Sequence, residues 1–246
     1  MYPLRYLPSG HIFIAPEDDC HRIVDAMLET DYSEEFCLAR DFDVDFIGRL
    51  IEAGFLVMSA MLKFDEPETE PKEPFYILLP KLHLTRSALF FPELHIKKSI
   101  RPFLPCYELR INTNFEHILD KCVETHGSDW LTPPLVDALK SLHRRSMLSD
   151  NEPIKPVSFE CYRDGELKAG EFGIVLGRVY TSYSGYHEEN NAGTVQMILM
   201  IQWLEKNGFD FFDFGMPLDY KTTLGAQDIS PHRFVELFRA ANEGAL

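Results

Sequence analysis

No run of about 18 consecutive apolar residues occurs in this 246-residue chain, so no membrane-spanning helix is expected. Cys-x-x-Cys pairs are missing too. The five cysteines (Cys20, Cys37, Cys106, Cys122, Cys161) are dispersed, which points to buried free thiols in a reducing cytosol. The nine histidines show neither His-x-x-x-His nor mixed His/Cys spacing, so no metal site is expected. Positive charge is scarce: 24 Lys and Arg stand against 39 Asp and Glu, a net charge of −15. That balance excludes a broadly basic nucleic-acid coat. The opening residues, MYPLRYLPSGHIFIAPEDD, lack a long apolar core and a small-residue cleavage site, so they predict a cytoplasmic chain without a secretory signal.

What is present is enough apolar material, 45% of residues, to bury a substantial core. Phe42, Phe46, Leu50 and Ile51 recur at helical spacing within Asp41–Ala53, with Gly54 as a stop. Short helices are expected around Arg22–Glu29, Asn114–Thr125, Pro134–Leu148 and Thr194–Lys206, and strands at Val57–Leu62 and Phe75–Leu79. The charged, proline-rich Asp65–Pro74 segment forbids regular structure. Pro156–Tyr180 (PVSFECYRDGELKAGEFGIVLGRVY) holds two alternating runs about an Arg163-Asp164-Gly165-Glu166 turn, a strong hairpin signal. A third apolar strand follows at Phe209–Phe214, and Ser149–Pro156 is the best boundary. The expected class is α+β: a mixed α/β domain over 1–150, then a sheet domain over 151–246. Against the overall acidity, Lys81, Arg86, Lys97, Lys98, Arg101 and Arg110 oppose only Glu93 and Glu108 within 81–112, a local basic face.

Several phrases, taken in order, carry a family resemblance. They are Asp41–Phe55, Arg86–Arg101 (RSALFFPELHIKKSIR), Asp129–His143 (DWLTPPLVDALKSLH), the hairpin, and Leu224-Gly225-Ala226 through Phe234. Together they resemble the leucyl/phenylalanyl-tRNA–protein transferases, as a divergent member. The resemblance implies a GNAT-like acyltransferase sheet, an aminoacyl-tRNA donor and a protein N-terminus as acceptor. It also implies a monomer, no cofactor, and tagging of proteins for N-terminal-rule degradation. A same-fold transferase with another aminoacyl-tRNA or acceptor, and a non-catalytic aminoacyl-tRNA-binding relative, are the alternatives.

Site residues follow from the matched positions. The family strand ending Asp-Cys-Gln falls on Asp213-Phe214-Gly215, keeping the Asp as catalytic candidate but replacing the Gln. A family Glu falls on Tyr183, the second catalytic candidate, and a pocket-lining Met falls on Gly185. With glycine at 185 and 215, the substrate pocket, formed with Ser184, Phe214 and Asn191, is expected to be roomier than in the family. Two family tryptophans that stack on the substrate adenosine fall on Trp130 and Met58, and Arg86, Lys97, Lys98 and Arg101 are the expected tRNA contacts. The reaction asks for positioning, proton transfer and oxyanion stabilisation. It needs no serine or cysteine nucleophile, and the chain has no Gly-x-Ser-x-Gly elbow.

Overall fold

The computed structural model describes residues 2–62 and 74–243. The irregular character expected for 65–73 falls outside them. Two units emerge, Met1–Leu82 with Gly127–Ser141, and His83–His126 with Leu142–Leu246.

In the first unit, two short helices owe their starts to aspartates. Asp19 caps α1 (Cys20–Glu29) by accepting the Arg22 amide, and Asp43 caps α2 (Val44–Glu52) by accepting the Asp45 and Phe46 amides. The α2 stripe of Phe46, Ile47, Leu50 and Ile51 is buried. Gly54, at φ 102°, takes the left-handed conformation that turns the chain after α2. An antiparallel pair follows, β1 (Leu56–Leu62) against β2 (Phe75–Lys81).

The second unit is built on a seven-stranded mixed sheet in the order β4-β5-β6-β7-β8-β3-β9. Its strands are β3 (Arg86–Leu89), β4 (Glu108–Ile111), β5 (Ile154–Arg163), β6 (Glu166–Leu176), β7 (Val179–His187), β8 (Phe211–Gly215) and β9 (Gln227–Ile229). The β5–β6 hairpin turns at Asp164 and Gly165, both at positive φ, as its Asp-Gly sequence requires. All pairings are antiparallel except β7–β8, which are parallel and joined by the crossover helix α5 (Ala192–Lys206). The remaining helices are α3 (Phe115–His126), α4 (Pro133–Leu148), α6 (Asp219–Thr223) and α7 (Pro231–Asn242). The α+β class expected from the sequence is what the chain adopts. The two units divide elsewhere than at 150/151, because β3 and β4 hydrogen-bond into the C-terminal sheet.

The sheet has two differently covered faces. Phe159, Tyr180, Phe212 and Phe214 pack with Val195, Ile198, Ile201 and Leu204 of α5. On the opposite face Phe172 meets Phe115 of α3 edge-on, and Phe234 of α7 lies under Arg86. A buried Glu160 on β5 accepts the Thr113 hydroxyl at 2.9 Å and the Asn114 amide at 3.1 Å, anchoring the entry to α3. Four of the five free cysteines are buried as expected; Cys106 is exposed. Burial pushes the Cys20 and Cys161 thiols up, to about 11 and about 12.

Candidate active site

Alternation along a strand sends neighbouring residues to opposite faces, and it divides the expected site residues. Asp213, in the middle of β8, points away from α5 and is 0% exposed. Its carboxylate is fully engaged. Arg86 Nε donates to Oδ1 at 2.8 Å and Arg86 Nη2 to Oδ2 at 2.6 Å, while Thr181 Oγ1 donates to Oδ2 at 2.9 Å. The Gly215 amide adds a fourth bond, to Oδ1 at 2.9 Å. An acid held by an arginine fork and two further donors has no lone pair set aside for a substrate amine. Asp213 therefore fixes Gly215 and the strand end, instead of taking a proton from the acceptor.

Arg86 is corrected by the same geometry. It is 1% exposed, its charge is taken by Asp213, and its guanidinium lies 4.1 Å over the Phe234 ring. A cation so enclosed cannot contact a tRNA phosphate. The Leu224-Gly225-Ala226…Ile229…Phe234 motif is the brace around it. Ile229 pairs with Arg86 across β9–β3, and Phe234 supplies the stacked ring. Leu224 O accepts the His95 amide at 2.9 Å. A Cβ at Gly225, where φ is 104°, would stand 2.0 Å from Glu93 O, so only glycine allows this approach.

The other tRNA candidates differ among themselves. Lys97, Lys98 and Arg101 are exposed, on a turn and the start of the 3-10 helix Arg101–Cys106. Lys81 is paired with Glu35 at 2.8 Å and Arg110 with Glu108 at 2.9 Å. The local basic face thus narrows to three exposed cations.

On the strands of the hairpin continuation, register decides position. Phe172 pairs with Ser184 and Gly173 with Ser182, leaving Tyr183 as the extra residue of a β-bulge. The Tyr183 ring lies 5.9 Å from that of Phe172. Ser184 and Gly185 face opposite sides, so they do not line one pocket. Cys122 of α3 donates to Ser184 O, and His126 Nε2 lies 2.7 Å from Gly185 O. Phe214 is core, with its ring 4.0 Å from that of Phe212. Asn191, at φ 69°, is exposed just before α5 and makes no side-chain cap. In the first unit, Trp130 and Met58 are brought close: Ser59, next to Met58, donates its amide to Trp130 O at 2.9 Å and its hydroxyl at 3.1 Å.

Gly185 lies exposed on β7. Gly185 pairs with Glu171, and a Cβ there would lie 3.3 Å from Glu171 Cβ and 3.5 Å from its Cγ. Glu171 is thus its cross-strand neighbour. This residue is 4% exposed, receives the Tyr180 hydroxyl at 3.2 Å, and is hydrogen-bonded by Ser182 and Gln196. Gly173 makes the Tyr180 contact possible, since a Cβ there would strike the phenol Cζ and Oη at 2.6 Å. Burial pushes the Glu171 carboxyl up to about 7, against the pull of those bonds and of Lys221.

Lys221 of α6 completes the group. It is 5% exposed, and its Nζ donates to Phe214 O and Met216 O, both at 2.8 Å. Gly215 is therefore held through its own amide by Asp213 and through both flanking carbonyls by Lys221. Burial pushes the Lys221 ammonium down to about 8, while Glu171 and Asp213 hold it up. The sequence reading missed both residues. The signal was there: an acid in an inward position of a strand otherwise rich in glycine and apolar residues (Ala169-Gly170-Glu171-Phe172-Gly173).

A family model described as leucyl/phenylalanyl-tRNA protein transferase matches residues 88–239, from within β3 into α7. The leucyl/phenylalanyl-tRNA–protein transferase of Pseudomonas putida (strain W619) is 30% identical over 156 residues, 61% of this chain and 66% of the relative. That of Syntrophobacter fumaroxidans (strain DSM 10017 / MPOB) is 28% identical over 158 residues, 62% of this chain and 64% of the relative. The chain spans just under two thirds of the length of these curated relatives. Among solved structures, L-PGS from Bacillus licheniformis is similar at TM-score 0.44 and 10% identity, over 97% of this chain and 88% of that one. A GCN5-related N-acetyltransferase from Anabaena variabilis ATCC 29413 is similar at TM-score 0.38 and 7% identity, over 85% and 47%. With the family model covering more than half its residues, the chain belongs to the leucyl/phenylalanyl-tRNA protein transferase family.

Proposed function

We propose that the protein moves an amino acid from its tRNA to the N-terminal α-amine of another protein, in the cytoplasm and as a monomer, tagging it for N-terminal-rule degradation. The observation that carries the reading is the family match over residues 88–239, which takes in the strand end Asp213–Gly215. In the reaction the amine nitrogen bonds to the ester carbonyl carbon, the bond from that carbon to the 3′-oxygen breaks, and the amine proton passes to the departing oxygen. An α-amine titrates at about 7.7–8.0, so a neutral fraction exists at pH 7 without a dedicated strong base. Catalysis then rests on positioning. The doubly anchored Gly215 turn suits that task, since it is fixed before substrate arrives. Tyr183, the bulged residue of β7, is proposed to touch the substrate through its hydroxyl. Trp130 and Met58 are proposed to cover the adenosine, and Lys97, Lys98 and Arg101 to meet the tRNA backbone.

Incubating the purified chain with charged total tRNA and a panel of N-terminal peptides tests the reading. A peptide longer by one residue, seen by mass spectrometry, is the expected product. Bound aminoacyl-tRNA with no product would identify a non-catalytic relative instead.

A further inference from the structure

The segment from Leu94 to Cys106 contains neither α-helix nor strand, yet it is firmly mounted. Leu94, Ile96, Ile100 and Leu104 turn inward and pack with the core beneath α5. Leu224 O accepts the His95 amide at 2.9 Å. Two successive i→i+3 turns follow, the Ile100 amide donating to Lys97 O at 3.0 Å and the Phe103 amide to Ile100 O at 2.9 Å. Past the 3-10 helix, the Tyr107 hydroxyl donates to Glu189 Oε1 at 2.5 Å, in the loop before α5.

The outer side of this segment has a different character. Residues 97–103, KKSIRPF, hold three cations and no acid. Lys97, Lys98 and Arg101 are exposed and make no ion pair among the described residues. Elsewhere exposed arginines find carboxylates: Arg144 with Glu116 at 2.9 Å, Arg178 with Asp210 at 2.9 Å, and Arg233 with Glu236 at 2.7 Å. Neighbouring cations without a counter-ion repel one another and oppose the compact state. Phe103 stands among them, 36% exposed, the one large apolar side chain that this segment leaves outside.

We propose that Phe103 is a stacking platform for an unpaired RNA base, with Lys97, Lys98 and Arg101 holding the flanking phosphates. The proposal rests on the aminoacyl-tRNA reading above and sharpens it. Cations alone take any phosphate backbone, paired or not. An aromatic face takes only a base that is free of its duplex neighbours. Cations interleaved with an aromatic ring therefore match the alternation of phosphate and base along a single strand. An acidic peptide would satisfy the cations and leave Phe103 without a partner. Because the segment is already fixed on its inner side, little ordering is required when the strand binds.

The test is binding of the purified full chain, by fluorescence anisotropy, to a short single-stranded RNA, the same strand annealed to its complement, and a polyglutamate peptide. The single strand should bind most tightly. Phe103→Leu keeps apolar bulk without a π face; it should weaken single-strand binding about 10-fold or more and leave duplex binding within about twofold. Charge reversal at Lys97, Lys98 and Arg101 should weaken both RNAs. Equal losses for single strand and duplex in Phe103→Leu, or no loss, overturn the proposal. Polyglutamate binding as tight as that of the single strand overturns it too, and makes the patch a site for acidic protein segments. Should Phe103→Leu melt below the native chain, the added fluorescence of Phe103→Trp decides instead. Quenching by the single strand and not by the duplex sustains the platform, and no quenching beyond that of the native chain overturns it. None of these measurements needs a transferred amino acid. A chain that stacks RNA at Phe103 but lengthens no peptide sustains the proposal and defeats the transfer reading. Peptide lengthened by a chain whose Phe103→Leu variant binds RNA unchanged does the reverse.

Discussion

The two faces of the seven-stranded sheet each bury one acid near one base, and the two pairs behave differently. Beneath α7, Asp213 and Arg86 are locked in a bidentate bridge with Thr181 and the Gly215 amide filling the remaining carboxylate positions, while Arg86 Nη1 has no hydrogen-bond partner among the described residues. Beneath α5 lies Glu171, within electrostatic reach of Lys221 on α6; each has other primary partners, and burial has drawn them to about 7 and about 8. One pair is committed to holding the strand end. The other titrates near neutral pH. Distance from solvent alone therefore does not decide whether a buried charge is structural; what decides it is how completely its partners are fixed.

The comparison breaks most visibly if one half of the committed pair is removed. Arg86→Met leaves the Asp213 carboxylate buried without its counter-ion, and Asp213→Asn does the same to Arg86. Each should cost about 3–5 kcal/mol in urea unfolding, whereas Arg86→Met with Asp213→Leu should recover much of the loss. An additive double variant would mean that the bridge is not the source of the penalty.

A smaller effect should appear in the pH dependence of stability. Glu171 has a folded pKa raised from 4.5 to about 7, so between those values the folded state holds a proton the unfolded chain has released. Stability should fall as pH rises through that window. Lys221 has a folded pKa lowered from 10.5 to about 8, so the unfolded chain binds the extra proton between 8 and 10.5 and stability should rise there. The pair alone thus contributes a trough between pH 7 and 8. Thermal melts of the Glu171→Met, Lys221→Met double variant should show a flatter profile; an unchanged profile would separate the pair from any linkage.

The smallest effect concerns cations outside both pairs. Charge reversal at Lys97, Lys98 and Arg101 should lower the log–log salt slope of tRNA binding by about 0.7–0.9 for each phosphate that is no longer neutralised. Buried Arg86 neutralises none, so Arg86→Met, measured where it remains folded, should keep the slope. A slope that responds to Arg86 and not to the triple variant would invert this assignment.

Much of the fold could be read from local signals. The Asp164-Gly165 turn, the helical stripe of α2 and the amphipathic α3 each follow from spacing a few residues long. The strands β4 and β9 could not be read, because four- and three-residue segments gain their identity from neighbours far along the chain. The site was legible as a set of positions but not as roles. Asp213 stood out through the family pattern, yet nothing near it in sequence says that Arg86, 127 residues away, occupies its carboxylate. Glycine at 185 says nothing of its neighbour Glu171, because that residue lies on the paired strand, where register and not sequence proximity brings it.

The bulge in β7 has a consequence for how this edge of the site can vary. Counted along the ladder, Val179–Ser182 and Ser184–His187 keep one continuous register against β6, with Tyr183 set aside from it. Tyr183 is in effect a loop of one residue inside a strand, so side-chain chemistry there can change, or the residue be lost, while Ser182 and Gly185 stay on the α5 face. Length and register come apart here, as they do again at Lys168 of β6, where Cys161 pairs with Ala169 and Tyr162 with Leu167.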